Sequence, residues 1–147
     1  MAGVKRISGS PNIRGDYTMA SATPSVAQGD LVKLDGSGLV VIATAASILG
    51  IMRSADPSST STKVLIDVIV PDHSEFVIKY KASATAAALK TDYAGLTFTT
   101  TAITVDDTAS GDVVIQDLDP RDAVGTSGGR LICRFIPSAL QSVTGQA

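Results

Sequence analysis

Short apolar runs, branched at Cβ or alternating with polar residues and each cut off by Gly, Pro, Asn or Asp, constrain this chain more than any other feature. The clearest case is Leu31-Val32-Lys33-Leu34, then Asp35-Gly36-Ser37-Gly38, then Leu39-Val40-Val41-Ile42-Ala43-Thr44. The middle four residues tolerate positive φ, so the flanking runs are predicted to fold back on each other as a hairpin. Ile48 to Met52 reads as a further strand, buried on both faces. Lys63 to Val70 is a long β-branched run that Pro71-Asp72 stops, because proline cannot donate to a ladder. In Ser74 to Tyr80, Phe76, Ile78 and Tyr80 share one face and Glu75, Val77 and Lys79 the other, the pattern of a half-buried strand. Leu96 to Phe98, Ala102 to Val105, Asp112 to Asp117 and Arg130 to Ile136 complete the set, and Pro137 closes the last.

These amount to roughly eight or nine strands with turns every eight to twelve residues or so, the signature of an all-β domain: a small β-barrel or β-sandwich. One short helix is expected over Ser83 to Lys90, where Ala84 to Leu89 are strong helix formers and Ser83 or Thr85 can cap. Residues 1–25 show no periodicity and carry Gly3, Gly9, Pro11, Gly15 and Pro24, so they read as an extended N-terminal arm. The body is then 26–137, followed by a frayed tail, 138–147. The loops Ser54 to Thr62 and Leu118 to Gly129 are expected at the surface.

Composition sharpens this picture. Hydrophobic residues make up 44% of the 147, yet Trp is absent and aromatics are 4%. The core must come from Val, Ile, Leu and Ala, which points to modest monomer stability and to oligomerisation as its remedy. The net charge is −2, from 12 basic and 14 acidic residues, and there is no basic block of the kind that phosphate neutralisation needs. Lys5-Arg6 with Arg14 is the only local basic bias. The longest apolar run, Leu39 to Ala46, is interrupted by Thr44 and too short to cross a bilayer. The expectation is a soluble chain made in the cytoplasm, with no nucleic-acid or membrane partner.

A search for chemistry assigns no catalytic residue, no cofactor and no metal. His73 is the only histidine, and Ser74 beside it points the opposite way on an extended chain. Cys133, the only cysteine, lies in an apolar strand and reads as a small buried hydrophobe. Asp106, Asp107, Asp112, Asp117, Asp119 and Asp122 do not follow the spacing of a calcium loop. A loop held by a pairing of Asp with Arg121 accounts for the last of them better. A glycosidase carboxylate pair lacks an aromatic sugar platform, and the missing Trp also argues against a carbohydrate-binding sandwich. Gly125 to Arg130 lacks the Gly-Lys-Ser/Thr ending of a phosphate loop and runs into a strand instead of a helix. Arg14-Gly15-Asp16 is a chance tripeptide.

Two stretches carry a resemblance. Val26 to Gly38, with its Gln28-Gly29-Asp30 turn and Gly-rich hairpin, followed by an Ala/Thr-rich strand and Ile48-Leu49-Gly50-Ile51, resembles the head-decoration (capsid cement) proteins of tailed bacteriophages. Asp119-Pro120-Arg121-Asp122, with Gly129 to Ser138, is similar to the C-terminal part of phage virion structural proteins. The resemblance implies a β-tulip-like body that forms homotrimers on the capsid exterior and binds the major capsid protein through the arm. On that reading the capsid contacts are Lys5, Arg6, Ile7, Ile13, Arg14 and Tyr17, with Arg121 from the later loop. The rival within the same class is a tail-tube subunit or the base of a head fibre.

Overall fold

The Asp35–Gly38 turn forms, and the Asp35 side chain organises it. Its Oδ1 accepts from the N–H of Ser37 at 2.8 Å and of Leu39 at 3.0 Å, while Gly38 takes φ +78°. An aspartate bonding the main chain just ahead of it, followed by a glycine at positive φ, is what turns a strand back cheaply. The computed structural model containing this hairpin describes residues 4–20, 26, 28–43, 47–54, 63–70, 74–80, 93–98, 103–106, 111–122 and 128–141.

The strands are β1 Val4–Arg6, β2 Ile13–Thr18, β3 Leu31–Leu34, β4 Val40–Ile42, β5 Gly50–Met52, β6 Lys63–Val68, β7 Phe76–Tyr80, β8 Tyr93–Phe98, β9 Ile103–Asp106, β10 Val113–Leu118 and β11 Arg130–Phe135. They form two sheets. The first has the order β1-β7-β11-β10-β8-β9, and a parallel pairing of β7 with β9 closes β7 to β11 into a five-stranded barrel. Closure removes most of the open edge that a short hairpin-rich sheet would otherwise expose. The second sheet, β2-β6-β5-β3-β4, is antiparallel throughout. A Met19–Val40 bridge draws its outer strands together. The expected all-β, small-barrel class is therefore correct. The helix expected over Ser83 to Lys90 lies outside the described residues, as do His73 and most of the Ser54 to Thr62 loop.

Each sheet wraps its own core. Phe76, Ile78, Ile115, Leu131, Cys133 and Phe135 fill the first, where the Phe76 and Phe135 rings meet edge to face with centroids 5.2 Å apart. Val32, Val40, Leu49, Met52, Val64, Ile66 and Val68 fill the second. Leu31 and Ile51, opposite each other on β3 and β5, point the other way and join the first core. The second sheet is thus buried on both faces where it backs onto the barrel, which explains the unbroken apolar character of Ile48 to Met52. Val77 is buried as well, at 8% exposure, so β7 is covered on both sides over Phe76–Ile78 and half-buried only at Lys79.

Over its described residues the N-terminal segment, expected as an unpacked arm, is built into both sheets. β1 pairs with β7, and β2 pairs with β6. Sequence periodicity misses these strands because β1 is three residues long and β2 carries a bulge between Arg14 and Tyr17. The start of the tail is ordered too. Pro137–Ala139 makes a 3-10 turn, Leu140 bridges to Ile48, and the Gln141 amide bonds both the N–H (2.8 Å) and the C=O (3.0 Å) of Leu34.

Gly50 sits where β5 runs against β6, and a Cβ there would lie 2.2 Å from the main-chain oxygen of Asp67. The neighbour is backbone and cannot rotate away. Gly50→Ala is expected to destabilise the protein by about 1–3 kcal/mol in urea unfolding. Gly36→Ala, where a Cβ meets nothing within 4 Å, should stay within about 0.5 kcal/mol of the parent.

Candidate functional site

Asp67 interrupts a strand that is otherwise aliphatic, and a buried carboxylate needs both charge and hydrogen-bond partners. It finds them across the boundary between the sheets. Arg6 of β1 donates from Nε to Oδ2 at 2.8 Å and from Nη2 to Oδ1 at 2.9 Å, and the main-chain N–H of Asn12 donates to Oδ1 at 3.0 Å. The two side chains are 7% and 1% exposed. Arg6 is opposite Phe76 in the β1–β7 ladder. The bond from Ile7 N–H to Glu75 O makes that a hydrogen-bonded pair, so by alternation Arg6 and Phe76 form a close, non-hydrogen-bonded one. Their side chains are thereby brought together, and the guanidinium carbon stands 4.8 Å from the ring centroid.

Beside this pair runs a cleft of about 410 Å³, lined from the first sheet by Val4, Lys5 and Arg6 and from the second by Ile51, Met52, Arg53 and Asp67, with Gln28-Gly29. The second wall is fixed: Gln28 Nε2 donates to Arg53 O at 2.9 Å, and Gly29 N–H to Met52 O at 2.8 Å. Side-on pairing with Asp67 turns Arg6 Nη1 away from the carboxylate, and that nitrogen is buried without a protein hydrogen-bond partner.

The residues nominated from sequence fall into four groups. Lys5 and Arg6 meet at the cleft, Lys5 exposed and Arg6 buried in its ion pair. Ile7 and Ile13 are exposed at 43% and 42%, and Arg14 is half-buried on β2. Tyr17 is no surface contact: it packs in the second core, where burial, more than the neighbouring Asp16, raises its phenol above the usual range. Arg121 belongs to a separate cluster, bonded to Asp119, while Arg130 holds Asp122 from Nε at 2.9 Å and Nη2 at 2.8 Å. Asp67, Gln28 and Arg53 escaped sequence reasoning. The available signal was a lone aspartate inside an aliphatic strand, which requires a cation elsewhere in the chain.

The arginines also account for the aspartates near Pro120. Side-chain bonds from Arg121 hold the Asp119 carboxyl at about 2, and Arg130 holds Asp122 well below the usual carboxylate range. Among the described residues no group of three or more His, Cys, Asp or Glu is placed to hold a metal. Burial pushes the Cys133 thiol up to about 12, so this cysteine packs as a hydrophobe, as its sequence context suggests. No described helix is long and apolar enough to cross a membrane. No protein family, curated protein or solved structure matches the chain.

Two outcomes follow. Asp67→Ala leaves a buried guanidinium without its counter-charge and is expected to cost about 3–5 kcal/mol in urea unfolding, whereas replacing the pair together (Arg6→Met with Asp67→Leu) recovers most of that loss. Asp119 has a folded-state pKa below its ordinary value, so its contribution is whole above about pH 4 and disappears as pH falls through about 2. A ¹³C carboxyl titration should place its midpoint at about 2, and Arg121→Gln should return it towards 4 or so.

Proposed function

We propose that this chain is a virion structural protein that decorates the outside of a tailed-phage head, binding the major capsid protein as a homotrimer and stabilising the mature shell. The observation that carries the reading is the N-terminal segment. It is anchored at one end on β7 and at the other on β6, and between and along these strands it exposes Ile7 and Ile13. Ile13 is opposite Asp67 in the β2–β6 ladder, one step from exposed Leu65 on the same face. Aliphatic side chains held on rigid backbone can dock with little loss of conformational entropy. The residues that resemble decoration proteins, Val26 to Gly38 and Ile48 to Ile51, build the β3–β4 hairpin and lead into β5.

The mechanism is binding linkage. A protein that prefers the expanded lattice stabilises that lattice in proportion to the logarithm of its occupancy. No reacting group is required; shape, exposed apolar area and copy number do the work. Purified protein mixed with undecorated, expanded heads is expected to pellet with them. Ile7→Asp with Ile13→Asp should weaken that association by about tenfold or more, because a charge then has to be desolvated at the contact. Absence of the parent protein from the pellet overturns the proposal, and rings or tubes in negative stain would assign the chain to a tail instead.

A further inference from the structure

The cleft beside Arg6 and Asp67 has an imbalance of charge that neither the fold nor the apolar contacts above require. Among the described residues, Lys5, Arg6 and Arg53 line it against one carboxylate, Asp67. Arg6 already occupies that carboxylate, and no acidic side chain among the described residues forms a salt bridge with Lys5 or Arg53. Both of these cations are exposed. The Arg6 side chain is 7% exposed, and its Nη1 has no hydrogen-bond partner in the protein. A carboxylate entering the cleft meets two exposed cations at its walls.

The backbone adds a direction. Val4, Lys5 and Arg6 all line the cleft, although neighbouring side chains of a strand point to opposite faces. A cleft touched by three consecutive strand residues runs along the strand's edge. β7 occupies the other edge of β1. Because Lys5 and Ile7 turn their main-chain groups toward β7, the register leaves the N–H and C=O of Arg6 on the cleft side. An extended segment laid there can add to the sheet as a strand.

We propose that this cleft is a docking site for an extended, acidic segment of a partner protein, held by strand addition to β1 and by carboxylate contacts to the exposed Lys5 and Arg53. On the decoration reading that segment belongs to the capsid protein, but the docking chemistry stands on the cleft alone. A single strand of nucleic acid is disfavoured, since the chain is acidic overall and the cleft has no described aromatic wall for a base to stack on.

The test is an amide chemical-shift titration of the full-length protein with three probes: the capped peptide Val-Glu-Val-Asp-Val-Glu, its Gln/Asn counterpart, and a dT10 oligonucleotide. The acidic peptide is expected to shift residues 4–6, 28–29, 51–53 and 67, and to bind about tenfold or more tighter than the amide version. About 0.5 M salt should weaken it strongly. Lys5→Ala with Arg53→Ala, at two exposed positions that leave thermal unfolding unchanged, should reduce the affinity by about tenfold. Equal binding of the two peptides, shifts outside the cleft, or tighter binding of dT10 would each overturn the proposal. Because heads are absent from this experiment, its result is independent of the pelleting result.

Discussion

The ion pair between Arg6 and Asp67 sets the terms on which the two sheets meet. Taking two charges out of water costs several kcal/mol per ion, and such a pair is tolerated only when its geometry is nearly complete. Here it is: a bidentate guanidinium, a main-chain donor from Asn12, and an aromatic face beneath the cation. The arrangement requires β1 to sit against β7 with Arg6 opposite Phe76, and β6 to turn Asp67 toward the seam. A slip of one residue in either strand would bury a charge with nothing to meet it. The pair therefore acts less as glue than as a register pin, excluding alternatives that an aliphatic contact would allow.

That same constraint creates the cleft. Across the second sheet, Leu31, Ile51, Asp67 and Ile13 lie in one row. The row is apolar under the barrel, charged at the seam and exposed at β2. Leu31, Ile51 and Asp67 are buried along it and Ile13 is exposed, so burial ends at the step from β6 to β2. The exposed Lys5 and Arg53 beside the cleft are thus backed by a tightly constrained pair.

Most of the fold was legible because it rests on local rules. The Asp35–Gly38 hairpin, the β-branched β6 and the Pro137 stop each follow from a few adjacent residues. The pairing of Arg121 with an aspartate was legible for the same reason, its partner being two positions away. What the sequence hid was nonlocal. β1 is too short for any period, and the bulge in β2 breaks its alternation. The partnership of Arg6 with Asp67 spans 61 positions, a distance at which composition says only that Asp67 needs a cation, not which one. Tyr17 was misread because an isolated aromatic in an aperiodic segment looks like surface until its strand is seen to curl over a core.

The two ends of the chain are exchanged between the sheets. β1 belongs to the sheet whose other strands, β7 to β11, follow all those of the second sheet in sequence. Residues 139–141 return to bond Ser47, Ile48 and Leu34 in the second sheet. The pairing of β1 with β7 therefore spans every strand of the second sheet in sequence. β1 must wait for a partner of high sequence separation, a pairing that forms slowly, whereas β2 to β6 follow one another directly. Until that pairing forms, β1 presents an open strand edge, and an open edge is where one chain pairs wrongly with another.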